Sequence, residues 1–156
     1  MRSFAPILGY ARTFLMVALV VTVAACARTP GGAEGDATPG SQQEFLVTVG
    51  DRVFFETDSS VLTSVAQATL EKQAAWLKRY SQYSVFIEGH ADERGTREYN
   101  IALGARRAAA VINFLVSKGV SANRLSSKSF GKERPVAICN DISCWSQNRR
   151  AVTVLN

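Results

Sequence analysis

The stretch EGHADERGTREYNIALGARRAA, residues 88–109, changes its periodicity partway through. Leading into it, YSVFIEGHA reads as a strand, with Val85 and Ile87 on one face and Phe86 and Glu88 on the other. Leading out of it, a helix is predicted from about Glu98 to Lys118, stopped at Gly119, a natural C-cap. Between the two, Gly-His-Ala-Asp-Glu-Arg-Gly must turn the chain. Residues at such a strand end rest on a stiff scaffold yet open to solvent, so Asp92 is well placed to bind something. It is equally well placed to cap the turn.

The helix narrows the choice of arginine. Its apolar face carries Leu103, Val111 and Leu115, with Ile112 to one side, and position 107 falls in the middle of that stripe. Arg106 lies about a hundred degrees away around the helix. Arg107 is therefore directed at the sheet, where an unpartnered guanidinium would cost several kcal/mol. Asn100, two turns earlier, is a second polar group on the same face. An internal Asp92–Arg107 ion pair satisfies these constraints. So does a cleft with separated poles, in which Arg107 takes a carboxylate and Asp92 an ammonium. Either state can replace the other.

Around this segment, Phe45, Val47 and Val49 alternate, then a Gly-Asp turn leads to Val53-Phe54-Phe55. Strands are predicted over 45–49 and 52–55. Asp58 or Ser59 is the expected cap of a helix whose inner side holds Leu62, Val65, Thr69, Trp76, Leu77 and Tyr80. SANRLSSKSFG supplies a strand near 125–130, and Val152 and Val154 mark a last one. The order strand, helix, strand, helix, strand, strand argues for an α/β sandwich with helices packed on one face of a sheet.

The chain has 156 residues, 47% of them hydrophobic, enough for one modest domain. Its start has the pattern of an export signal: Arg2 and Arg12, an apolar run from Phe14 to Val21, then small residues. The run is shorter than the roughly 20 residues that cross a bilayer. Val23-Ala24-Ala25-Cys26 resembles the lipobox of bacterial lipoproteins, which implies a signal peptide over 1–25 and acylation of Cys26. Ala27, in place of an aspartate, implies delivery to the outer membrane, and acyl chains there would anchor the chain in outer-membrane lipid. Residues 26–43 are read as the lipidated N-terminus and a tether, whose Gly, Pro, Ala, Thr and Ser cannot bury enough surface to order it. The domain then spans 44–156. Losing Arg2 and Arg12 lowers the net charge of +5 to +3, too little and too dispersed to suggest nucleic acid.

Val53-Phe54-Phe55 through Asp58-Ser59, Gly89-His90-Ala91-Asp92 with Gly95, Tyr99-Asn100 with Leu103, Arg107-Ala108, and Asn148-Arg149-Arg150-Ala151-Val152 resemble the OmpA-like peptidoglycan-binding domain. With the lipobox, the tether and Phe130-Gly131-Lys132-Glu133-Arg134-Pro135, the whole chain resembles the lipoprotein family of the Tol-Pal system. The resemblance implies a mixed sheet in strand order 1-4-2-3. It also implies non-covalent binding of the peptidoglycan stem peptide at meso-diaminopimelate, with Asp92 and Arg107 on its charged groups and Asn100 lining the pocket. Phe55 and Asp58 would form the other wall, with Arg149 near it. Implied partners are TolB and other Tol proteins; the implied role is to tie the outer membrane to the cell wall and support constriction at division.

Cys139 and Cys144 depart from many members of that family. In an oxidising compartment they are expected to form a disulfide, closing a short loop before the last strand at a gain of about 2 kcal/mol. Zinc would still need two further ligands, and His90 is the only histidine. A hydrolase built on Glu88, His90 and Asp92 lacks a partnered nucleophile and a three-ligand metal set, so no enzymatic activity and no cofactor are expected. His90 is assigned to a turn hydrogen bond or to packing at the sheet's end. A lipoprotein that docks on proteins without wall affinity is the remaining alternative.

Overall fold

The alternation in Val85–His90 makes this strand, β2, the centre of the sheet. Val85 and Ile87 are buried on the helix side, whereas Phe86 and Glu88 are half-buried on the other. The computed structural model describes residues Ala37–Asn156; the signal segment, Cys26 and most of the tether lie outside the described residues. Four strands, β1 (Arg52–Phe54), β2, β3 (Leu125–Gly131) and β4 (Arg150–Leu155), form one mixed sheet in order β1-β4-β2-β3. β4 runs antiparallel to both neighbours, and β2 and β3 are parallel. This is the expected strand order.

Helices α1 (Ser64–Arg79) and α2 (Arg97–Ser117) cover one face. Leu70, Leu77, Ala108, Val111 and Leu115 meet Val53, Val85, Ile87 and Ala151 in a single core. A Cβ on Gly89 would overlap the backbone carbonyl of Gly104, so two glycines let α2 lie directly on β2. α2 is capped by the Thr96 hydroxyl, and Gly119 follows its end at φ +89°, where glycine carries no Cβ penalty.

Four expectations need correction. Residues Phe45–Val49 form a wide helical turn closed by Gly50 N donating to Phe45 O at 2.9 Å, not a strand. Their alternation is misleading because only Phe45 is buried, its ring 5.0 Å from Trp76, while Leu46 and Val47 face solvent. Ser41 starts this turn by accepting from Glu44 N, and the Glu44 carboxylate accepts from Gly40 N and Trp76 Nε1. The globular unit thus takes in residues whose composition resembles the tether.

The cap of α1 is Thr63, accepting from Ala66 N at 3.2 Å, rather than Asp58 or Ser59. Its buried stripe is Ala66, Leu70, Gln73, Ala74, Trp76 and Leu77, so Val65 is 75% exposed and the predicted face is rotated. Gln73 fits inside because Nε2 donates to Gly50 O and Oε1 accepts from Thr153 Oγ1. Finally, a short helix α3 (Ile142–Asn148), capped by Asp141, precedes β4 where a loop was expected.

Candidate functional site

Releasing residues 55–62 from regular structure places a loop opposite the β2–α2 turn. Asp58 sits at its bend with φ +55°, a left-handed conformation that aspartate tolerates. Tyr99, on the first turn of α2, donates its hydroxyl to the Asp58 carboxylate. Between loop and turn lies a cleft of about 270 Å³, lined by Thr57, Asp58, Asp92, Arg94, Tyr99 and Asn100 among others. Asn100 is buried and donates Nδ2 to Arg94 O at 2.7 Å, holding the turn's backbone against α2.

Asp92 is buried, and both its oxygens are occupied. Oδ1 accepts from Arg94 N and Nε at 3.2 and 3.1 Å; Oδ2 accepts from Arg94 Nη2 at 2.7 Å and, more weakly, Arg149 Nη1 at 3.5 Å. Burial works against the charge, but the bonds from Arg94 and Arg149 outweigh it and hold the acid below its ordinary range.

Arg107 is the inward member of the pair, with 0% exposure. It does not pair with Asp92. Nε donates to Ser59 O, Nη1 to His90 O and Nη2 to Glu56 O, at 2.8, 2.8 and 3.2 Å. Its guanidinium also lies 5.1 Å from the Phe55 ring centroid. Burial pulls its pKa down to about 10, a pull that nearby Asp92 partly offsets, so it stays charged at neutral pH. The internal ion pair, one of the two arrangements the sequence allows, is replaced by a clamp on the cleft's loop, because three carbonyls at the sheet's end need donors. A buried cation held by carbonyls still projects positive potential toward the two acids of the cleft.

The expected site residues therefore divide. Asp92, Asn100 and Asp58 line the cleft; Arg107 supports it from behind. Phe55 and Arg149 instead line a larger groove of about 630 Å³ between β1 and the start of α1. Arg149 links the two sites, since Nε donates to Phe55 O at 3.0 Å while Nη1 reaches Asp92. Arg94 and Tyr99 were missed as site residues. The signal for Arg94 was its position two residues after Asp92, where an aspartate accepts from the backbone N–H two residues on.

His90 is scaffold. Its ring stacks 5.6 Å from Phe130, Nε2 lies 3.3 Å from Glu88 Oε2, and Nδ1 has no partner. Burial, helped by Arg150 and Arg134, pushes its pKa down to about 4, so it is neutral and donates from Nε2. Among the described residues no three His, Cys, Asp or Glu side chains converge as a metal set. Cys139 and Cys144 form the expected disulfide, with Cα atoms 5.6 Å apart. Asn148 ties the same loop down, bonding Val136 N, Ala137 N and Ala137 O.

The OmpA family profile matches residues 54–149. The chain belongs to the OmpA family. A peptidoglycan-associated lipoprotein from Mesorhizobium japonicum is 60% identical over 156 residues, covering 93% of each chain. One from Agrobacterium fabrum is 67% identical over 124 residues, covering 80% of this chain and 70% of the relative. The crystal structure of the peptidoglycan-associated lipoprotein from Burkholderia pseudomallei superposes with a TM-score of 0.68 at 41% identity, over 71% of this chain and 96% of that one. The C-terminal domain of Helicobacter pylori MotB, 23% identical over 68% of this chain and 84% of its own, shares the fold at a TM-score of 0.64.

Proposed function

We propose that this chain is an outer-membrane lipoprotein, anchored through acylated Cys26 with its domain facing the periplasm. It binds peptidoglycan non-covalently by the meso-diaminopimelate of the stem peptide, and so ties the outer membrane to the wall. The observation that carries this reading is a buried, ionised Asp92 on the wall of a small cleft backed by a buried arginine. A zwitterionic side chain suits such a cleft. Asp92 receives the ammonium, and Arg107, with two of its five N–H bonds not given to carbonyls, draws the carboxylate from behind. Asn100, Asp58 and Tyr99 shape the walls, while Phe55 and Arg149 support Asp92 from the adjoining groove. The name of its relatives, peptidoglycan-associated lipoprotein, supports peptidoglycan as the ligand. TolB and other Tol proteins are the partners, with a role in envelope integrity and constriction at division.

The test is sedimentation of the detergent-solubilised chain with insoluble peptidoglycan. Wild type is expected to pellet without releasing soluble wall fragments, and D92A to remain in the supernatant. Fragment release would point to an enzyme, and failure of wild type to pellet would leave docking on proteins as the function.

A further inference from the structure

Asp92 has no acceptor site to spare. An ionised carboxylate offers about four lone-pair positions. Four donors already point at Asp92, three from Arg94 and one from Arg149. A ligand ammonium must therefore displace one of them. Arg149 is held: its side chain is 7% exposed and it also donates to Phe55 O. The Arg94 side chain is 40% exposed, lines the cleft and can leave.

Arg94 also has a second support. Its Cζ lies 4.1 Å from the centroid of the Trp145 ring, so the guanidinium uses its edge on Asp92 and its face on the indole. Trp145 is itself fixed, donating Nε1 to the Glu93 carboxylate and following the half-cystine Cys144 in α3. Losing the carboxylate leaves the stacked face intact, so the guanidinium stays at the rim with a free fork of N–H bonds.

We propose that Arg94 is an internal cation that closes Asp92, and that Trp145 is the positioning residue that keeps it at the rim once a ligand ammonium displaces it. The freed fork then joins Arg107 at the carboxylate that diaminopimelate carries and lysine lacks, making Arg94 a further determinant of that choice. This rests on the stem-peptide reading of the cleft.

Calorimetric titration of the full chain in detergent with diaminopimelate- and lysine-containing stem peptides tests it, with circular dichroism confirming that each variant is folded. R94A is expected to bind the lysine peptide at least as tightly as wild type, while its preference for diaminopimelate falls about tenfold or more, the scale of a charged hydrogen bond. W145A is expected to lose about threefold of that preference, and W145F, which keeps a ring face, to hold it within about twofold of wild type. Equal weakening of both peptides in R94A, or an unchanged preference, overturns the exchange. W145F behaving as W145A overturns the role of the ring. Wild type binding neither peptide overturns the underlying reading as well.

Discussion

The Arg149 guanidinium reaches the Asp92 carboxylate at 3.5 Å, with 7% and 9% of the two side chains exposed. The α3–β4 junction and the β2–α2 turn are thereby joined at one buried charge. Because Asp92 titrates below its ordinary value of 3.8, its stabilisation is present above that value and lost as pH falls through the lower folded pKa. Urea denaturation between pH 7 and pH 3 is expected to show this loss in wild type, confined to the acid end, and to show less of it in D92N.

His90 gives a stability loss at milder pH. Its ordinary pKa is 6.5 and burial holds the folded value near 4. The unfolded chain therefore takes up a proton first, and stability falls as pH drops from about 6.5 toward 4. The slope approaches at most about 1.4 kcal/mol per pH unit for one proton. Denaturation at pH 7.5 and pH 5 is expected to reveal it in wild type, and an equal midpoint shift in H90Q would assign the slope elsewhere.

Arg107 serves three carbonyls at once, so its loss should be felt in folding before binding. R107A strands Ser59 O, His90 O and Glu56 O beside a cavity. Destabilisation of about 3 kcal/mol or more is expected by urea titration. R107K keeps the charge without the fork and should fall between, whereas a wild-type midpoint for R107A would contradict the clamp.

The Cys139–Cys144 loop is short, with a sequence separation of 5, and removing its crosslink in C139S/C144S should cost about 2 kcal/mol on the loop-entropy scale. Thermal unfolding with and without reductant checks this: reductant is expected to lower the midpoint of wild type and to leave the double variant unmoved.

How far the sequence carried depended on whether a signal was local. Arg107's inward direction followed from helical spacing alone, since Leu103 and Val111 lie one turn to either side. Its partners did not, because the carbonyls of residues 56 and 59 reach it only through a loop whose shape depends on tertiary packing. The same holds for Asp92, whose neighbour Arg149 lies 57 residues away in sequence. Phe45–Val49 shows the opposite error. Its period-two pattern is real, but among the described residues no strand pairs with it, and the Ser41 cap and Trp76 ring favour a helical turn. In α1, Ala66, Leu70, Gln73 and Leu77 form the true stripe, hidden because its members include small and polar residues.

The central claim is that Asp92 holds the ammonium of a stem-peptide diaminopimelate, and calorimetric titration of that peptide into wild type and D92A tests it most directly. Saturable binding by wild type and a loss of about thirtyfold or more in a folded D92A are expected, the scale for truncating one partner of a buried charge pair. D92A binding the peptide within about twofold of wild type would contradict it.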